Sequence, residues 1–426
     1  MGHRSWRSAR LLVGRDCHDA EERATGPYPD GQQDRGTVMI HITLSGDIFL
    51  KSRRTQPRMI KRLLASLQLA LDEAGCDAPL ERLGSHRFAL DPGERSAEVV
   101  ERATRVFGVA SVDEMEEIAA GDLDHLASEI ARLTRARVSG RTFGVRVKRR
   151  GTHSWKSYDL ASKSGSLLVE AGGTVNLDDP QEPVDVMVLD DRAFLVVAHH
   201  RGPGGLPVGT QEPVLCLISG GFDSVVAAWM MMSRGCPVEF VHFTLSCSQS
   251  DHAVAVARSL WERWGYGTEP TVHVVEFQPV KEALLEHVDV RMRQVALKVL
   301  MARAASEIAE ERGILALLTG DAMGQVSSQT LPHLVAVSEA SDVPIFRPLL
   351  GLPKQDIIDY ARRIGTAEMS ARAQEVCDLS GGRPVATGAR PEKVAASVKD
   401  IPEFLMNDAI STRKVFLLKD WFPGVT

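Results

Sequence analysis

Cysteine is scarce in this chain: six residues in 426, at 17, 76, 216, 236, 247 and 377, with no CxxC pair among them. That spacing excludes a disulfide framework and argues against a structural zinc site, so a reducing, cytoplasmic setting is expected and no metal-ligand cluster is. Also missing is any run of about 18 uncharged apolar residues, so no membrane span is expected. Net positive charge is missing too. Fifty Lys and Arg stand against 56 Asp and Glu, a formal charge of −6, which argues against a protein that coats nucleic acid through bulk charge. Residues 1–38 lack apolar periodicity, and Asp16, Asp19, Glu21 and Glu22 speak against an organellar presequence. We read this stretch as a disordered or mis-annotated extension, with Met39 opening the folded part. What remains is ordinary: 44% apolar, 25% charged, and a length that suits two or three domains.

From Met39 the pattern becomes regular. IHITL at 40–44 alternates like a strand, and Met59, Leu63, Leu64, Leu67 and Leu71 line one face of a helix that starts near Pro57. HRFAL at 86–90 reads as a strand, followed by a helix near 97–106 and the apolar GVASV. An amphipathic helix starts near 121, FGVRV at 143–147 is a strand, and VDVMVL and AFLVVA flank Asp190-Asp191-Arg192 as a hairpin. RGPGGLPVGT at 201–210 reads as a linker. Beyond it the grammar changes. VLCLI at 214–218 and VEFVHFTL at 238–245 are continuous apolar runs, as strands buried on both faces require. Helices near 252–264 and 290–311, the run GILALLTG and the helix KQDIIDYARRIG continue a doubly wound parallel α/β pattern. The fold class is thus a multidomain combination of α+β and α/β units. We divide it into a small ferredoxin-like domain (39–96), a second α+β unit (97–200), the linker (201–210), a doubly wound domain (211–400) and a C-terminal tail (401–426).

Residues 219–224, Ser-Gly-Gly-Phe-Asp-Ser, fall between the first buried strand and the helix VVAAWMMM. Gly220 and Gly221 let the backbone approach an anion, Ser219 and Ser224 offer hydroxyls, and the helix start offers unpaired N–H groups. The alternative is a plain glycine turn capped by serines. The loop has neither GxxxxGK[ST] nor GxGxxG, so γ-phosphate transfer and dinucleotide binding are disfavoured. SGGFDS resembles the loop of the PP-loop ATP pyrophosphatases, which split ATP into AMP and pyrophosphate while adenylating a poor leaving group. That resemblance places activation, through Mg²⁺ and phosphate positioning, on Asp223.

Further motifs extend the resemblance in chain order. GDIFLKS (46–52), RTFGVRVKRRGTHSW (141–155), GGLPVGTQEPVLCLISGGFDS (204–224), SRGCPVEFVHF (233–243), LTGDAMGQVSSQTL (318–331) and IFRPLLGLPKQDII (345–358) together resemble the tRNA 4-thiouridine synthetase family (tRNA uridine 4-sulfurtransferases). The resemblance implies that 97–200 is a THUMP RNA-binding domain and 211–400 a PP-loop catalytic domain. It implies ATP contacts at Leu217, Ile218, His242, Phe243, Lys298, Gly320 and Gln329, with Lys354 assisting activation. Physical reasons are at hand for each: strand-end backbone can read adenine, Phe243 can stack, Lys298 offers a cation and Gln329 a two-sided amide. Core packing for His242 and Phe243, and surface charge for Lys298 and Lys354, are the plain alternatives.

Charge position also matters. Lys51, Arg53, Arg54, Arg58, Lys61 and Arg62 form one window without an acid; eight basic residues between Arg132 and Arg150 form another, including Arg146, Lys148, Arg149 and Arg150 and closed by His153, Trp155 and Lys156. Such windows can neutralise tRNA phosphates, and Trp155 can stack on a base, although a solvated face is the usual explanation of either alone. The chemistry that the family performs replaces the C4 oxygen of uridine at tRNA position eight with sulfur. Adenylation makes that oxygen leave, and a cysteine persulfide supplies the sulfur. Cys377 matches the family's essential cysteine; Cys216 and Cys236 read as core residues. Part of the family carries the persulfide on a C-terminal rhodanese domain. Only 49 residues follow Cys377, so a form without it is expected, with a cysteine desulfurase loading Cys377 and Cys247 as a resolving partner. An iron–sulfur cluster held by three cysteines is another route. The resemblance further implies a homodimer and sulfur delivery to a thiamine-pathway carrier protein. Alternative readings are a PP-loop modifier of another tRNA base, or a non-catalytic tRNA-binding or sulfur-carrier adapter.

Overall fold

The computed structural model describes residues 38–119, 121–246, 250–373, 379 and 385–423. Its first part runs β1 (Val38–Leu44), α1 (Gly46–Phe49), α2 (Gln56–Glu73), β2 (Glu81–Arg82), β3 (Arg87–Leu90), α3 (Ser96–Ala103) and β4 (Val109–Ile118). The expected periodicities are realised: Ile40, Ile42 and Leu44 of β1 pack with Met59, Leu63, Leu67 and Leu71 of α2 in one core. Next come α4 (Leu123–Val138), β5 (Thr142–Arg150), α5 (Ser157–Glu170), β6 (Thr174–Val175), β7 (Glu182–Leu189) and β8 (Arg192–Arg201). The hairpin forms where Asp190 adopts a φ of +54° between β7 and β8, a left-handed conformation that Asp tolerates in tight turns.

These two parts share a single eight-stranded sheet, ordered β2-β3-β1-β4-β8-β7-β5-β6. The long strand β4 joins them, pairing antiparallel with β1 on one side and β8 on the other. Its Val112 and Ile118 meet the helix-covered cores. On the opposite face Met115 packs with Met187 and Phe194. Asp113 lies there in register between His41 of β1 and His199 of β8. Across that face Arg87 of β3 touches Met187 of β7, so the sheet is curled and its concave side is largely filled.

The last part holds β9 (Val214–Leu217), α6 (Phe222–Ser233), β10 (Val238–Thr244), α7 (Ser250–Trp264), β11 (Thr271–Glu276), α8 (Gln278–His287), α9 (Arg293–Arg312), β12 (Leu317–Leu318), α10 (Leu331–Glu339), β13 (Ile345–Phe346) and α11 (Lys354–Ile364). α12 (Ala367–Ser370), α13 (Pro391–Ser397), α14 (Glu403–Ser411) and β14 (Lys414–Leu417) follow. The sheet order is β13-β12-β9-β10-β11-β14, parallel except for the last strand. Apolar runs make sense here because both faces are covered. Leu215, Val241 and Phe243 face one core with α9, and Val214, Cys216 and Phe240 face another with α6 and α7. The strand order reverses between β9 and β12, which makes the gap after their carboxyl ends the ligand position of a doubly wound sheet.

The segment from 401, expected as a trailing tail, is instead part of this sheet. Strand β14 pairs antiparallel with β11, Thr271 opposite Leu417, and Trp421 is buried. Alternation over four residues was too short a signal to read. The Gly/Pro-rich 201–210 stretch is strapped down. Leu206 bridges to Arg234, and Arg62 donates through Nε to Val208 O at 2.8 Å and through Nη2 to Gly267 O. Phe107 inserts between Trp229 and Trp264, with ring centroids 5.5 and 5.6 Å away, so the amino-terminal part and the parallel sheet share a core.

Candidate active site and basic face

Strand β9 ends at Leu217, and Ile218 N–H still donates to Val241 O at 2.9 Å. The chain then turns through Ser219 and Gly220. Gly220 has a φ of +82°, and a side chain there would meet His252 at 2.8 Å and the backbone of Ala253 at 3.1 Å; the turn requires glycine. Ser224 closes the loop, its Oγ accepting Ser219 N–H at 3.3 Å and lying 3.4 Å from Ser219 Oγ. Gly221 caps α6 without any side-chain acceptor. The first-turn N–H groups are therefore left for an anion, favoured by the helix dipole.

A second wall arrives from β12 across the switch point. Gly320 lies so close to the first turn of α6 that a Cβ would fall 2.5 Å from both Asp223 C and Ser224 N. From the opening turn of α11, Lys354 Nζ donates to both Asp223 oxygens at 2.8 and 3.0 Å, and Gln325 Nε2 donates to Oδ2 at 3.0 Å. Lys298 of α9 meets Asp321 Oδ1 at 2.9 Å. Burial works to raise the Asp321 carboxyl, but Lys298, Thr319 and Arg347 outweigh it and hold it at about 2. Gln329 is buried beside them. His242 Nδ1 lies 2.8 Å from Ile218 O, which places the proton on that nitrogen and ties the two strand ends. The Phe243 ring is 8% exposed and packs edge-on against Phe277 at 4.8 Å. Packing accounts for that ring, and what Phe243 offers a ligand is strand-end backbone.

Thus Leu217, Ile218, Ser219, Gly220, Gly221, Asp223, Ser224, His242, Lys298, Gly320, Gln329 and Lys354 converge on one crevice. Sequence reasoning passed over Asp321, Gln325 and Arg347. An acid directly after a strand end at the switch point was the available signal for the first.

Residues 209–402, which contain this whole crevice, match the family model described as thiamine biosynthesis protein (ThiI), and residues 120–198 match the THUMP domain. A tRNA sulfurtransferase of Desulfurococcus amylolyticus is 39% identical over 342 residues, 80% of this chain and 70% of that protein. The chain belongs to the tRNA sulfurtransferase family. A second tRNA sulfurtransferase, from Erwinia tasmaniensis, is 39% identical over 348 residues and 72% of its length is covered. Among solved structures, a 4-thiouridine synthetase–RNA complex with bound ATP superposes with a TM-score of 0.73 at 26% identity, over 89% of this chain and 99% of that one. PH1313 from Pyrococcus horikoshii shares the fold at a TM-score of 0.57 and 19% identity.

For a tRNA sulfurtransferase the cysteines matter. Cys76, Cys216 and Cys236 are free and buried. Burial pushes up the thiols of Cys216 and Cys236, as core residues and unlike nucleophiles. Cys377 and Cys247, the expected sulfur carrier and its resolving partner, lie outside the described residues.

The basic windows divide by role. In the first, Arg62 is spent on the strap, whereas Arg53, Arg54 and Arg58 are exposed around the start of α2 and Lys51 is half-buried. In the second, Arg146, Lys148 and Arg150 are exposed at alternate positions of β5. None of these seven forms an ion pair among the described residues, in contrast to Arg132, Arg137 and Arg141, which meet Glu129 and Glu182. Arg149 turns inward, donating to His153 Nδ1 at 2.9 Å and covering the Trp155 ring at 5.6 Å. This contact fixes Trp155 in place. Arg150 also lines a cleft of about 290 Å³ with Thr43, Leu83, Ser85, His86 and Arg87.

Proposed function

We propose that this member of the tRNA sulfurtransferase family uses ATP to convert uridine at position eight of tRNA into 4-thiouridine. The observation that carries the reading is the crevice itself. An uncapped helix N-terminus, the Asp223–Lys354 pair and Lys298 meet at the switch point of a parallel sheet. The similar structure is described as a 4-thiouridine synthetase holding RNA and ATP.

In this reading the α6 N–H groups, Ser219 and Ser224 cradle the phosphates, while Ile218, His242 and Phe243 present strand-end backbone to the adenine. The uridine O4 attacks the α-phosphorus, the bond to the bridging oxygen breaks, and pyrophosphate departs. Lys354, held at Asp223, and Lys298 are placed to balance the charge that builds on the phosphates. Mg²⁺, entering with ATP, would be held chiefly by phosphate oxygens and water, as is usual for this ion. Asp223 is the acid at the loop that could supply an oxygen, in exchange for one of its hydrogen bonds from Lys354 or Gln325; no group of three or more metal-ligating side chains occurs among the described residues. When bound, the ion would neutralise phosphate charge.

The second half-reaction falls to Cys377. A cysteine desulfurase loads it as a persulfide; its terminal sulfur attacks C4, the C–O bond breaks, and AMP leaves. A second thiol, for which Cys247 is the choice, then attacks Cys377 Sγ in the C4–S–S–Cys377 adduct; the S–S bond breaks, 4-thiouridine leaves with the outer sulfur, and a Cys247–Cys377 disulfide remains. The exposed arginines and lysines of α2 and β5, Arg149 and Trp155 hold the RNA in a homodimer, and the same persulfide could serve a thiamine-pathway carrier protein. The test is to incubate the purified chain with ATP, a persulfide donor and tRNA transcripts, then digest to nucleosides for mass spectrometry. The reading requires 4-thiouridine from the normal transcript and none when uridine-8 is replaced by cytidine. Equal thiolation of both would sink it.

A further inference from the structure

Asp321 sits one residue past the glycine that presses on the phosphate loop and is 7% exposed. Its carboxylate accepts four hydrogen bonds. Oδ1 takes Lys298 Nζ at 2.9 Å and Gln329 Nε2 at 3.3 Å; Oδ2 takes Thr319 Oγ1 at 2.8 Å and Arg347 Nε at 3.3 Å. An ionised carboxylate has about four acceptor positions, so this one is full. No lone pair is left to take a substrate proton or a metal ion. Orientation is what such a group can still provide.

The four donors divide into two pairs. Thr319 and Arg347 fasten Oδ2 to the end of β12 and to the turn after β13, where Arg347 also donates to Ser338 Oγ at 2.9 Å. Lys298 and Gln329 come from the helix and the turn that border the crevice. A primary amide is planar, and giving Nε2 to Asp321 decides where Oε1 points. Gln329 Oε1 is buried and has no hydrogen-bond partner among the described residues. A buried acceptor left empty is unfavourable, so Gln329 Oε1 favours a ligand that brings an N–H or O–H in place of water. Charge points the same way: two cations, Lys298 and Arg347, share one anion, and the surplus positive charge suits a polyphosphate.

We propose that Asp321 is a positioning residue that fixes the Gln329 amide with its oxygen toward the nucleotide and holds Lys298 for the phosphates. The enzyme then reads one hydrogen-bond donor of ATP, either the 6-amino group of the base or a ribose hydroxyl. The inference rests on the nucleotide reading above and deepens it.

The experiment is calorimetric binding of ATP, ITP, 2′-deoxy-ATP and 3′-deoxy-ATP to the full chain, with thermal unfolding of each variant alongside. Wild type should bind ATP and lose about 10- to 100-fold in affinity for the one analogue that lacks the donor; which analogue it is tells base from ribose. Asp321→Asn keeps the size but frees the amide to turn, so its ratio for that analogue should fall to within about threefold. A merely structural role would weaken all four nucleotides together and leave the ratios alone. Gln329→Met, which removes one hydrogen bond from Asp321 but leaves its partners Lys298 and Arg347 in place, should lose the same discrimination and settles the matter if Asp321→Asn does not fold. Wild-type binding without any preference, or an unchanged ratio in either folded variant, overturns the inference while ATP binding stands. Absence of ATP binding by the wild type overturns the nucleotide reading as well.

Discussion

Replacing Gly320 by alanine tests the crevice geometry with a single methyl group. The added Cβ would lie 2.5 Å from Asp223 C and Ser224 N and 2.8 Å from Asp223 O, about 0.9 Å short of ordinary contact. All three neighbours are backbone atoms in the first turn of α6, so no side chain can swing away. Either β12 or the phosphate loop must move by most of an ångström. Overpacking of this kind destabilises by about 1–3 kcal/mol, which a folded chain of this size can absorb. A displacement of about 1 Å in a positioning group costs on the order of 100-fold in rate. The assay is ATP-dependent pyrophosphate release in the presence of tRNA, with chemical denaturation in parallel. Gly351→Ala is the control, because a Cβ there meets nothing within 4 Å. Gly320→Ala should stay folded and lose about two orders of magnitude in turnover. Turnover within about threefold of wild type would refute the claim that this close approach sets the loop.

Phe107→Ala should destabilise by about 3–5 kcal/mol, since the ring is 2% exposed between Trp229 and Trp264; denaturant titration checks it. His41 is fully buried, and neither ring nitrogen is hydrogen-bonded among the described residues. Burial, aided by Arg87 and Arg192 and opposed by Asp113 and Glu117, lowers it to about 4. The unfolded chain takes up this proton near pH 6.5 and the native state only near 4. The contribution is therefore full above pH 6.5 and lost as pH falls to about 4, by at most about 3 kcal/mol at about 1.4 kcal/mol per pH unit. His41→Leu should flatten stability over that window, as read by urea midpoints from pH 7 to pH 4. Arg146→Ala and Lys148→Ala should each lower the slope of log K for tRNA against log salt by about 1, with ATP affinity unchanged.

The parts of this molecule that were legible in the sequence are those set by neighbours in the chain. SGGFDS could be read because its strand, turn and helix are consecutive, and the double-sided burial of β9 and β10 shows directly as apolar runs. Gly320 and Asp321 acquire their meaning only when β12 inserts beside β9, a pairing of Leu317 with Leu215 across about a hundred residues. No local pattern announces that Asp321 faces four donors. Arg62 has the same composition and exposure signals as Arg58, yet it reaches Gly267, some two hundred residues away. Likewise β4 reads as one strand of a small domain, and only the pairing shows that it joins two sheets into one.

The Asp223 loop is proposed to activate RNA with ATP, and tRNA-dependent pyrophosphate release tests this most directly. Wild type should release pyrophosphate with ATP only when uridine-8 tRNA is present, and Asp223→Asn, folded to the same stability, should release about 100-fold less or none. Undiminished release by Asp223→Asn, or wild-type thiolation of tRNA without any pyrophosphate, would contradict the account.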